Sequence, residues 1–288
     1  PAAPDRDLTR SMSAQGRTRS GRSKAERRAA LLAGYRPLPG VFDEFIDENG
    51  DVRPHWEPFL SGWCTLSPSE LTQRFGLADR HVRDTGVSYR VHGDIDERDP
   101  GVGERAWPLS HVPLVIPETE WQAIAAGVTQ RAELLSTVLD DIYGPGELIA
   151  EGHLPAAVVT GSPDYLRPLH GIAGGGTLQL YAADLGRGPD GRWWVLQDRT
   201  QAPSGTGYAL ENRLALARAF PDMFRNMNIE RLAAFFQSFR AGLVSRSKRV
   251  EPRIALLTPG SLNESYFEQA YLARYLGFLL VEGGDLLM

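Results

Sequence analysis

The stretch that most restricts what this chain can fold into is residues 253–282. Arg253 to Thr258 is a short apolar run of the buried-strand type, Asn263 to Leu276 has helical spacing, and Phe278 to Glu282 is a second apolar run. Strand, helix and strand in so few residues make a βαβ unit, which sets the two strands parallel. Two parallel strands and one crossover helix do not cover both faces of a sheet. The unit therefore extends a sheet built earlier, or it opens one that a longer polypeptide completes. The second is the expectation, with this chain as the front part of a longer protein.

Upstream the punctuation is mixed. Residues 1–34 read as a basic, disordered tail in which only Ser23 to Leu32 has helical character. Tyr35 to Phe45 is extended and aromatic, and Arg53, His55 and Trp56 beside Asp43 and Glu44 suggest a structured polar core. Ser67-Pro68-Ser69-Glu70 is an N-cap with Pro at the first helical position, predicting a helix to about Thr85. Gly86 ends it, Val87 to Val91 alternates as a strand, and 93–107 is a charged, Gly-rich loop. The longest helix runs from Ile116-Pro117 to Tyr143-Gly144. Thr177 to Asp184 and Trp193 to Asp198 are strands joined by the turn Gly188-Pro189-Asp190-Gly191. Helices follow at Leu210 to Ala219 and Ile229 to Leu243, the latter with Phe235, Phe236 and Phe239 as core.

Composition closes off several function classes. Cys64 is the only cysteine, which excludes an internal disulfide framework and a Cys-based zinc site. No apolar run is long enough to span a bilayer, and the Arg- and Ser-rich start has no signal core, so reducing cytoplasm is the expected compartment. The net charge of −5 divides into +5 over residues 1–34 and −10 over the rest. An acidic body argues against nucleic acid as the main ligand, since phosphate neutralisation needs a clustered basic face.

Three clusters could carry chemistry. With Arg187 opposite Arg192 across the turn, Asp184 faces Val195 and shares a sheet face with Gln197 and Arg199, while Asp198 points the other way. Such a patch can hold a divalent metal or a phosphate; a solvated sheet face is the plain alternative. The loop Arg199-Thr200-Gln201-Ala202-Pro203-Ser204-Gly205 can fold its N–H groups around an anion, and Glu211-Asn212-Arg213 opens the helix after it. Thr258-Pro259-Gly260-Ser261-Leu262-Asn263-Glu264 lies at a strand end before a helix, the usual ligand crevice of a parallel sheet. Glu264 and Glu268, one turn apart, read as solvated helix charges. Arg167 and His170 could bind a carboxylate or a phosphate.

Taken together, GVFDE (40–44), VRPHW (52–56), YGPGELI (143–149), WWVLQDRTQAPSGTGYALENR (193–213), LLTPGSLNESYFEQAYLARYLG (256–277) and VEGGDL (281–286) resemble the circularly permuted ATP-grasp family, type 2. The resemblance covers about 250 residues. It implies an α+β / α/β fold: an ATP-grasp-like antiparallel sheet with helices over 35–248, then the start of a parallel, Rossmann-like βαβ subdomain over 249–288. It also implies a bacterial, ATP- and Mg²⁺-dependent carboxylate–amine ligase, which phosphorylates a carboxylate and lets an amine open the acylphosphate to an amide. The substrate class is a small peptide or amino-acid-like molecule, and an all-helical domain or protein is an expected partner. A non-catalytic scaffold that binds a peptide or partner is the competing expectation.

Carried over residue by residue, the resemblance makes Asp184, Asp198, Glu211 and Asn212 metal ligands. Arg199, Gln201, Ser204, Gly205 and Arg213 become the phosphate side, with Arg199 and Asp198 as catalytic groups. Thr258, Gly260, Asn263, Glu264 and Arg167 become the substrate side. Gln197-Asp198-Arg199 stands where the family's typical signature is Glu-x-Asn. Gln can offer a carbonyl oxygen, but Arg cannot ligate a cation and repels it.

Overall fold

A computed structural model of the chain describes residues 22–91, 103–172 and 176–286. The first described element is α1 (Lys24–Gly34), capped by Ser23, which accepts the Glu26 N–H while the Glu26 carboxylate accepts the Ser23 N–H. It falls on Ser23 to Leu32, the stretch with helical character in a tail otherwise read as disordered. It is held against α2 (Glu57–Trp63) by Arg28–Glu57 at 2.7 Å, Lys24 to Ser61 at 2.7 Å and Arg27 to the Cys64 carbonyl at 2.8 Å. The rest of the tail lies outside the described residues.

The turn between α1 and α2 is a knot of polar contacts around Asp43. Its carboxylate accepts from the Phe45 and Ile46 N–H groups and from the Tyr35 hydroxyl, while Arg53 donates to its carbonyl. α3 (Pro68–Asp84) starts where the sequence places it, with Ser67 and Glu70 forming a capping box. Strand β1 (Ser88–Val91) then pairs antiparallel with β2 (Gly103–Ala106). Residues 103–106 are thus a strand where a loop was expected, because a partner strand gives this polar segment a ladder that its own pattern does not announce. The remainder of that predicted loop, up to residue 102, is outside the described residues.

The long helix α4 (Glu118–Ile142) is present as expected, preceded by Pro117. At its end the Asp141 carboxylate accepts the Glu147 and Leu148 N–H groups and so caps α5 (Glu147–Ala150), followed by α6 (Ala156–Thr160). The hairpin comes next, with β3 (Ala182–Arg187) antiparallel to β4 (Trp193–Arg199). β3 begins later than predicted. Its register also differs, since Arg187 faces Trp193 and not Arg192. A bulge between Asp184 and Leu185 then places Asp184 opposite Gln197 instead of Val195. The two departures cancel: Asp184, Gln197 and Arg199 still share a face, and Asp198 lies on the other. In the turn, Gly191 has φ +77°, and a Cβ there would lie 2.7 Å from the Phe42 ring, so only glycine suits it.

The core is built around α7 (Thr206–Ala219), which buries side chains on several sides. One side packs with Trp56, Phe59, Ala78 and Met223, the last from α8 (Pro221–Asn226), a helix that sequence reading missed. Tyr208 and Ala215 meet Val82 and Val87. Leu210 packs with Phe236 of α9 (Ala233–Ser245) and with Tyr271 and Leu276 of α10 (Tyr266–Leu276). Phe236 is core as predicted, whereas Phe235 is exposed. α10 connects β5 (Ala255–Leu257) to β6 (Leu279–Val281), and these strands are parallel. The mixed helix and strand content agrees with the expected class. The parallel pair contains two strands among the described residues, which falls short of a Rossmann-like subdomain.

Candidate functional site

The glycine-rich loop before α7 presents N–H groups as the sequence predicts, but their acceptor is internal. The buried Glu268 carboxylate accepts from Gly205 at 2.7 and 2.8 Å and from Gly207 at 2.8 Å. An anion at a helix N-terminus is stabilised by free N–H groups and by the helix dipole, and Glu268 supplies that anion from α10. Glu268 is therefore not the solvated charge that its helical spacing suggested. The Gly205 N–H is committed to it. Among the described residues the side chains of Gln201, Ser204 and Arg213 have no hydrogen-bond partner, and burial pulls the Arg213 guanidinium below its usual pKa, with only the charge of Glu230 opposing.

On the hairpin, Arg199 holds Asp184 through Nε at 3.1 Å and Nη2 at 2.7 Å, which lowers the Asp184 carboxyl below its ordinary range. On the opposite face, Arg131 of α4 grips Asp198 in fork geometry at 2.5 and 2.7 Å, and the Tyr181 hydroxyl donates at 2.6 Å. These bonds draw Asp198 down to about 2, while burial and the neighbouring carboxylate push Tyr181 up to about 12. Asp184 and Asp198 thus sit on opposite faces, each neutralised by its own guanidinium.

Glu211 and Asn212 are engaged elsewhere. Glu211 is buried, accepting from His81 Nε2 at 2.9 Å, while Arg218 donates to His81 Nδ1; burial, and then the Glu211 carboxylate, push the Tyr271 hydroxyl above its ordinary pKa. The Asn212 carbonyl oxygen accepts the Trp107 indole N–H at 2.7 Å. Among the described residues, no group of three or more His, Cys, Asp or Glu is arranged to hold a metal ion. This donor set does not fit a resident Mg²⁺, which needs carboxylate oxygens free of cationic partners.

Of the substrate-side residues, Asn263 and Glu264 line a cleft, and Thr258 and Gly260 do not. Thr258 is buried, donating to Gln269 and accepting the Gly260 N–H at 3.1 Å, so both set the backbone at the end of β5. Asn263 and Glu264 line a cleft of about 420 Å³, together with Tyr89, Arg90, Glu104 and Arg274. The Arg90 N–H donates to the Glu264 carbonyl at 3.2 Å, which fixes the β1–β2 hairpin against the loop before α10. Arg167 lies in a short exposed turn and takes no part in lining this cleft. Sequence reasoning missed Arg90, Glu104 and Arg274: the first two face each other only because β1 and β2 pair, and Arg274 reaches them from α10, so no local signal marks them as neighbours.

The family model for circularly permuted ATP-grasp type 2 matches residues 113–288, more than half of the chain. The chain belongs to this family. An uncharacterized protein of Mycobacterium tuberculosis (strain H37Rv) is 36% identical over 278 residues, covering 90% of this chain and 31% of its own length. An uncharacterized protein of Synechocystis is 35% identical over 261 residues, covering 89% of this chain and 53% of its own length. A second uncharacterized mycobacterial protein, from Mycobacterium leprae, is 33% identical and is covered over 47% of its length. The chain thus spans about a third to a half of these relatives. In ATP-grasp terms, the matched segment contains both hairpin ion pairs, the α7 loop and the α10 side of the cleft. The cleft wall from β1 and β2 precedes it. Among the described residues no helix is long and apolar enough to cross a membrane.

Proposed function

We infer that this chain supplies the substrate cleft and part of the phosphate-facing surface of an ATP-dependent carboxylate–amine ligase, which forms amide or peptide bonds. The observation that carries the reading is the cleft beside Asn263 and Glu264, at the carboxyl end of β5, in a chain of the ATP-grasp family. ATP supplies an activated phosphoryl group to such a reaction. The residues assigned here to its phosphates are Gln201, Ser204 and Arg213, whose side chains are uncommitted, with Arg199 as a cationic group aimed by Asp184. Arg131 and Arg199 hold Asp198 and Asp184, two of the carboxylates that the resemblance gives to a metal, so no step is assigned to a metal here. Thr258 and Gly260 set the backbone that leads from β5 to the cleft-lining Asn263 and Glu264. A cytoplasmic location belongs to the same reading.

The test is ADP formation by the full-length protein. Asp184→Ala is expected to abolish it, because Arg199 loses the partner that orients it. Undiminished turnover removes Asp184 from the site. A second reading, a non-catalytic scaffold that binds a peptide or a helical partner protein, is favoured by the pairing of Asp184 with Arg199. A stoichiometric complex with such a partner and no nucleotide affinity in the full-length protein would select it.

A further inference from the structure

His55 lies in the single turn Pro54–Trp56, where its ring is half-buried and its Nε2 is sealed from solvent. That nitrogen has no hydrogen-bond partner, and among the described residues only the neighbouring Trp56 indole N–H shares this state. A buried donor without an acceptor is costly, whereas a neutral ring with its hydrogen on Nδ1 leaves no donor at Nε2 to satisfy. The site therefore suits His55 only while it is uncharged.

The charges that act on this ring belong to the contact that ties the tip of the β3–β4 hairpin to the rest of the fold. Arg187, at the turn end of β3, is buried between the rings of Phe42 and Trp193, 4.6 and 4.2 Å from their centroids. Its guanidinium donates to Glu44 at 2.6 Å, to Glu120 of α4 at 2.5 Å and to the Gly191 carbonyl at 2.8 Å. The same Glu120 oxygen accepts the Trp193 indole N–H at 2.9 Å. Burial holds the His55 imidazole below its ordinary pKa; Glu120 and Glu44 favour its protonation, and Arg53 and Arg187 oppose it. These two carboxylates and two guanidiniums balance, so a proton on His55 adds an uncompensated charge. The carboxylates able to accept its new N–H are already bonded to Arg187.

We propose that His55 is a proton-operated latch on the hairpin. Neutral, it leaves Glu120 to Arg187 and the tip is held; protonated at Nε2, it draws Glu120 away and the tip is released. The other end of the hairpin stays closed, because Arg131 and Tyr181 keep Asp198 ionised down to about pH 2. The latch operates whether or not the protein is a ligase. Its sign follows from the lowered folded pKa: the closed tip is stabilised fully above about pH 6.5, and that contribution is lost as pH falls below it.

The test is amide hydrogen exchange over residues 182–199 of the full-length protein, corrected for the intrinsic effect of pH. It is followed from about pH 7.5 to about pH 5, beside an NMR titration of the His55 ring. Exchange at residues 188–192 should quicken about tenfold as His55 gains its proton, the effect of losing one charge-assisted hydrogen bond, while the Asp198 end stays protected. His55→Asn and His55→Gln cannot take the proton and should abolish the step. Arg187→Gln should exchange fast at both ends of the range. It should also raise the His55 pKa, because Glu120 is then free and a neighbouring cation is gone. Hairpin exchange that ignores pH overturns the proposal, as does a step that persists in both His55 variants or a His55 pKa that Arg187→Gln leaves unchanged.

Discussion

The Glu268 carboxylate accepts the Gly207 N–H at 2.8 Å across 61 residues of sequence, joining the first turn of α10 to the first turn of α7. The same carboxylate holds Gly205, so one buried anion closes the helix start that a phosphate could otherwise use. It also fixes the cleft-bearing helix to the centre of the fold.

Glu268→Ala should therefore destabilise the protein by about 2–3 kcal/mol, since the Gly207 N–H is left buried without an acceptor. Urea unfolding measures the loss. A variant of wild-type stability would show that water replaces the carboxylate.

Gly207→Ala reaches the same contact from the other side. A Cβ there would lie 2.9 Å from Glu268 Cγ, so the carboxylate must shift away from its donors. The expected cost is about 1–3 kcal/mol. Because both changes act on one contact, the double variant should be less destabilised than the sum of the two.

Asp198 gives a pH dependence with a definite sign. Its folded pKa of about 2 is below the ordinary 3.8, so its pairing with Arg131 and Tyr181 stabilises the fold fully above about pH 4. That contribution fades as pH falls from 3.8 toward 2. The difference in urea midpoint between wild type and Asp198→Asn should be constant from pH 7 to about 4 and shrink below it. A difference independent of pH would separate Asp198 from its partners.

His81→Ala should destabilise by about 3 kcal/mol, because Glu211 then stays buried without the imidazole that holds it. Thermal unfolding with Glu211→Gln as a second variant reads the coupling directly.

What the sequence revealed of this architecture follows from the range of each signal. Local rules located α3, whose capping box and proline are written in consecutive residues, and α4, whose apolar spacing is long enough to be unambiguous. The parallel arrangement of β5 and β6 followed from chain geometry alone. The hairpin faces came out correctly although the register did not, because a bulge offset the shift at the turn. Contacts between distant segments left no such trace. Nothing near Glu268 announces that it will cap a helix some sixty residues earlier, and the strand at Gly103–Ala106 depends on its partner for a reason to be one. Of the residues assigned to the site, Asn263 and Glu264 meet at the cleft. The metal set of Asp184, Asp198, Glu211 and Asn212 is divided among four separate interactions, since residue type specifies capacity to ligate but not which partner is nearest.

The measurement that bears most directly on the ligase account is a thermal-unfolding titration of the full-length protein with ATP, with and without Mg²⁺, beside Arg213→Gln and Ser204→Ala. ATP at about a hundred times its Kd should add roughly 2.7 kcal/mol, a rise of several degrees for a protein of this size. The account predicts that rise in the wild type and its loss in both variants. No rise in the wild type, or the same rise in the variants, would contradict it.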